Sequence, residues 1–148
     1  MKQPKCRYLG TPQEWLEHVA SDLRVAWLGR GDPAVLPAHV CFHAQQAIEK
    51  GIKAVLLSRG VDFPPTHDIE ELLHLAESNA VPVPAFLAEA GSLTPYAVET
   101  RYPFSEDEIA EQEVDTALRL AEQTQAWAES CIKSDSGGDG TSRGLLRQ

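Results

Sequence analysis

The sequence has no apolar run approaching the roughly 20 residues that cross a bilayer, so no membrane-spanning helix and no membrane partner is expected. Cysteine is scarce. Cys6, Cys41 and Cys131 are odd in number, far apart and without a C-x-x-C pair, which argues against a disulfide framework and a zinc site. Cys41 and Cys131 then read as small apolar residues, and a reducing cytoplasm is the expected compartment. The opening MKQPKCRYLG has charge but no apolar stretch, unlike a signal peptide. No segment alternates apolar and polar residues as strands do, and no internal repeat is visible. G-x-x-x-x-G-K-[ST], a G-x-G-x-x-G after a strand, and H-E-x-x-H are all missing, so known nucleotide-cradling loops and the zinc-protease reading are removed. Basic charge is in deficit: 13 Lys and Arg against 22 Asp and Glu give a net charge of −9. That disfavours nonspecific attraction to nucleic acid or anionic membranes, and no DNA partner is expected.

What is present reads as one all-α domain. The chain has 148 residues, 43% of them hydrophobic, enough to bury a core without staples. Residues 1–10 form a lead, 11–132 a helical domain, and the Gly-, Ser- and Asp-rich 133–148 a predicted disordered tail. Thr11, Pro12 and Glu14 make an N-cap, N1 proline and capping box for a first helix ending near residue 29. Trp15, Leu16, Val19, Ala20, Leu23, Ala26 and Trp27 are its apolar positions. A second helix spans about Pro37 to Arg59. Its core stripe is Cys41, Ala44, Gln45, Ile48, Ile52, Val55 and Leu56, with Ala47, Gly51 and Ala54 as a thin flank that admits another helix. Asp68 and Glu71 cap a short helix, and a fourth starts at Pro84, with a kink or break at Pro95. Ser105 and Glu108 cap a long last helix. Four longer helices and one short one suit an antiparallel bundle.

Charge is uneven along this chain. Residues 105–129 hold eight acids and one base, whereas Lys50, Lys53 and Arg59 stand against Glu49 alone in residues 38–59. His43, Gln46, Lys50 and Lys53 line the second helix opposite its core stripe. That row suits an anion or an acidic partner surface; the alternatives are a solvated face or pairing with the acidic last helix. His39 and His43, four apart, lack a third ligand, so no metal site is predicted. Glu89 and Glu99 have nothing that singles them out as paired carboxylates. Arg101 and Tyr102, in YAVETRYPF, stand at a helix break where a phosphate or a stacked base could be received. Capping of the preceding helix is the alternative role for Arg101.

The combination CFHAQQAIEKGIKAVLLSRGVDFPPTHDIEELL and LTPYAVETRYP resembles the HEPN domain family (higher eukaryotes and prokaryotes nucleotide-binding) over roughly residues 12 to 131. The pattern combines A-Q-Q-A-x-E-K-x-x-K-A on one helix, T-H-D-I at a helix start and Y-A-V-E-x-R-Y-P later. The resemblance implies a small helical bundle forming homodimers, often the toxin component beside a minimal nucleotidyltransferase antitoxin. It implies no cofactor. Active members are metal-independent endoribonucleases with an R-x(4–6)-H motif acting on the scissile phosphate and the 2′-hydroxyl. Here no arginine and histidine stand at that spacing. The sequence therefore leans toward a binding and assembly module for a nucleotide or RNA, with His43, Gln46, Lys50, Lys53, Arg101 and Tyr102 as ligand-binding candidates. An endoribonuclease toxin using Arg101 with His67 or His43 is one alternative; a structural helical protein without ligand is the other. His67 and Asp68 match T-H-D, where an N-cap and loop packing are the plainer reading.

Overall fold

The computed structural model describes residues 10–94 and 109–147, with side chains through residue 133. Among them the elements are all helical: α1 (Pro12–Arg30), α2 (Pro37–Ser58), α3 (Ile69–Ser78), α4 (Leu87–Ala90), a 3-10 turn (Gly91–Leu93) and α5 (Glu111–Arg147).

Each helix end has a local cause. Thr11 caps α1, its side chain accepting from the Glu14 backbone N–H with Pro12 following. Asp68 caps α3 by accepting from the N–H groups of Glu70 and Glu71. Pro37 opens α2, whose N-cap Leu36 supplies no side-chain bond. At the C-terminus of α2, Gly60 adopts φ +70°. Its N–H bonds Leu57 O, and Val61 N–H reaches back to Leu56 O, a Schellman closure. The end of α3 repeats the pattern through Ala80 N–H to Glu77 O and Val81 N–H to Ala76 O. There the left-handed position, φ 59°, is held by Ala80.

The central element is α2. It packs against both α1 and α5, α1 also touches α5, and α3 sits on α2 and α4. Gly29 lies against Val35 and Val40, Asp22 bonds Lys50, and Trp15 meets Phe63. These contacts run α1 antiparallel to α2. Arg30 near the end of α1 pairs with Asp115 near the start of α5 at 3.1 Å. Ile48, Ile52, Val55 and Leu56 of α2, Leu72 of α3, Leu87 of α4, and Leu118 and Leu120 of α5 are fully buried or nearly so, each worth about 1.5–3 kcal/mol against exposure. Gly51 lets α5 approach: a Cβ there would stand 2.9 Å from Thr124 Cγ2. The thin flank predicted around Gly51 is thus the α2–α5 contact.

Three features depart from the expectation. The fourth helix is a single turn, Leu87–Ala90, passing into 3-10 at Gly91–Leu93, although Leu87, Ala90 and Leu93 are all buried in the core. Pro95 lies outside the described residues, as do Ser105 and Glu108. The backbone of α5 continues helical to Arg147, beyond Lys133 where glycine and serine become frequent; extending an existing helix needs no new nucleus. Trp27, placed on the apolar side of α1, is 45% exposed.

Candidate functional site

The polar row of α2 forms two clusters, each organised by a carboxylate. The first lies between α1 and α2. Asp22 accepts from Lys50 Nζ at 2.7 Å and His43 Nδ1 at 3.0 Å. The carboxylate is largely buried and both partners are partly so.

The second cluster is deeper. Glu49, its side chain 3% exposed, takes Lys53 Nζ at 2.9 Å and His67 Nδ1 at 2.9 Å. Gln45 Nε2 donates to Glu49 Oε1 at 3.3 Å and to the His67 carbonyl at 3.4 Å, and Gln46 Nε2 donates to Gln45 Oε1 at 2.8 Å. Lys53 Nζ is 5.6 Å from the centroid of Phe63 and 6.0 Å from that of Trp15, whose rings meet edge to face. A buried ammonium is tolerable here because a carboxylate neutralises it and ring faces surround it.

This arrangement corrects the outward cationic strip. Lys53 is buried, not solvent-facing: at the C-terminal half of α2 the helix is covered on nearly all sides, so the nominally polar face is interior too. Gln46 is half-buried and spends a donor inside the helix's own network. His43 and Lys50 do pair with carboxylates, but with Asp22 of α1 rather than the acidic last helix. His67 is exposed yet tied through Nδ1. Arg101 and Tyr102 lie outside the described residues. His39 is exposed and lines, with Val25, Leu28, Val35, Val40 and His43, a groove of about 390 Å³. Among the described residues no three His, Cys, Asp or Glu side chains gather as a metal site, and no helix is long and apolar enough to cross a membrane.

Sequence reading missed Glu49 and Asp22 as organising residues. The signal for Glu49 was available: Gln45, Glu49 and Lys53 succeed one another at i, i+4 spacing, which aligns them on one helix face. Asp22 is invisible without knowing which face of α1 meets α2. Chemically, each carboxylate fixes an imidazole through Nδ1, leaving Nε2 as the outward edge.

The sequence profile of the HEPN domain matches residues 35–131, so it takes in α2 through most of the described part of α5 and leaves α1 outside. Two solved structures are similar. One is TT1696 from Thermus thermophilus, 31% identical, TM-score 0.68, with 81% of this chain and 97% of that one covered. The other is ST0689, an archaeal HEPN homologue, 23% identical, TM-score 0.65, with 83% of this chain and 98% of that one covered; at that identity it speaks for the fold alone. No curated protein matches the sequence. Because the profile spans well over half of the chain and carries the A-Q-Q-A-x-E-K helix and the T-H-D-I turn, this protein belongs to the HEPN domain family.

Proposed function

We propose that this HEPN-domain protein is a homodimeric binding and assembly module. Its partner in this reading is a minimal nucleotidyltransferase, in a toxin–antitoxin-like pair, and it binds a nucleotide or RNA without cutting it. The carrying observation is one of spacing. Arg101 is followed by Tyr-Pro-Phe-Ser-Glu-Asp-Glu, and Arg59 and His67 are separated by seven residues that include Pro64 and Pro65. Metal-independent cleavage needs a cation and a proton-transferring group converging on one phosphodiester, and the family's arrangement for that is not in this sequence. The exposed Val25, Trp27, Leu28 and Leu36 give further support to assembly. The pairing of Lys50 with Asp22 and of Lys53 with Glu49 moves the weight of anion binding toward Arg101 and Tyr102.

Purification of the tagged chain from its native host is expected to bring down a nucleotidyltransferase and a bound nucleotide or RNA. Repeated recovery of neither would sink the reading. The endoribonuclease alternative draws on one observation, the carboxylate-set rings of His43 and His67. It requires expression of the wild type to slow growth and Arg101→Ala to relieve that effect.

A further inference from the structure

We propose that His67 contacts the ligand through Nε2, accepting a hydrogen bond from a hydroxyl or amino group of a nucleotide, and that Glu49 is its positioning residue. This rests on the nucleotide or RNA reading above and adds which atom touches the ligand and which part of the ligand it touches.

The assignment starts from the hydrogen bonds. An ionised carboxylate only accepts, so the 2.9 Å contact from His67 Nδ1 to Glu49 Oε1 puts the proton of the neutral ring on Nδ1. Nε2 is then a lone-pair acceptor, and a group that meets it must be a donor. A phosphodiester, which offers only acceptors, is the wrong partner for this tautomer. His67 is held at two points, one on the ring and one on the backbone. Glu49 fixes its Nδ1 edge, and Gln45 Nε2 holds the His67 carbonyl at 3.4 Å. Pro64 and Pro65 stiffen the connection that delivers it. Flanking polar groups are committed elsewhere. Thr66 Oγ1 donates to Glu71 and accepts from Asp68 N–H, while Asp68 caps α3. Glu49 is 3% exposed and His67 56% exposed, so a rigid interior anchor presents an open imidazole edge, as a preorganised contact requires.

Stability alone gives a poor account of the cluster. Buried ion pairs are rarely worth more than apolar side chains of the same shape, and α2 is otherwise packed with Ile, Leu and Val at this level. A simple strap between α2 and the following connection would need only a donor at the Nδ1 position. Asparagine would serve.

That difference supplies the test. His67→Asn keeps a donor toward Glu49 and removes the outer edge, while His67→Gln offers a carboxamide near the Nε2 position. Binding of a mixed-sequence single-stranded oligoribonucleotide, the four ribonucleoside monophosphates and dimethyl phosphate, which has acceptors only, is measured by titration calorimetry, with imidazole 15N spectra of the same samples. Wild-type spectra are expected to show the Nδ1–H tautomer and an Nε2 shift with a nucleotide probe but not with dimethyl phosphate. His67→Asn should melt within a degree or two of wild type and bind at least tenfold more weakly, and His67→Gln should recover part of the loss. Glu49→Gln with Lys53→Met, which leaves no lone buried charge, should shift the ring toward Nε2–H and weaken binding likewise. Equal binding by wild type and His67→Asn overturns the His67 assignment alone. Unchanged binding by the double variant overturns the role of Glu49. A response to dimethyl phosphate equal to that with nucleotides overturns the donor-ligand assignment. Wild-type protein that binds none of the probes overturns the nucleotide reading and this inference with it.

Discussion

Ala80 occupies a backbone conformation that side chains disfavour. Its φ of 59° closes α3, where the equivalent position after α2 is Gly60 at φ 70°. A left-handed alanine costs about 1–2 kcal/mol, and glycine gives back roughly 0.4–1 kcal/mol through the freer unfolded chain. Ala80→Gly is therefore expected to stabilise the protein by up to about 1 kcal/mol, read as a higher urea midpoint with an unchanged slope. Ala80 is kept in place by Val81, 3% exposed, whose N–H closes on Ala76. The same scale holds the lesson of Lys53. Helical periodicity placed it with His43 and Lys50 on a polar face, yet its neighbours are Glu49, Trp15 and Phe63. Periodicity assigns a direction from the helix axis, whereas burial depends on what stands in that direction.

Between elements, the α2–α5 contact turns on Gly51 and Thr124. Thr124 is fully buried and its Oγ1 donates to Leu120 O at 2.7 Å, so its Cγ2 has little freedom to retreat from a Cβ at 2.9 Å. Gly51→Ala gains about 1 kcal/mol in helix propensity and loses about 1–3 kcal/mol to overpacking; a net destabilisation is expected. In a Thr124→Ser background, which keeps the hydroxyl and deletes the methyl, the same substitution should become stabilising by up to about 1 kcal/mol. Chemical denaturation of the four proteins of this cycle reads the change of sign directly. Gly51 was recognisable in sequence as a thin place on α2, but its partner was not, since nothing in a linear text says which residue of α5 arrives there.

At the scale of the molecule, the helices leave Val25, Leu28 and Leu36 exposed around the end of α1 and the start of α2, beside the groove lined by His39 and His43. If the homodimer of the proposed function uses this face, sedimentation equilibrium should give twice the monomer mass, and Leu28→Arg should return the monomer without loss of helical signal. A monomer for the wild type at high micromolar concentration would remove the dimer from the proposal. The fold itself was legible beforehand from amphipathic periods, capping residues and proline breaks. Thr11, Asp68 and the Pro37 start stand where the sequence placed them. The site was legible only as residue types on one helix, because Asp22, 28 positions from Lys50, enters it through the docking of α1.

By itself the sequence determined the all-helical class, the capped starts of α1 and α3, the proline start and apolar stripe of α2, and membership of the HEPN family. Those follow from interactions within a few residues along the chain, or from a pattern spread over one helix and two turns. Only the tertiary structure decided which charges are free. Lys50 and Lys53 are equally cationic on paper; the docking of α1 gives Lys50 the carboxylate of Asp22, whereas Lys53 has Glu49 one turn back on α2 and is buried against Trp15 of α1 and Phe63 of the connection before α3. The physical reason is that a charge's chemistry is set by its solvation as well as by its partner, and the burial of both lysines is supplied by segments distant in sequence.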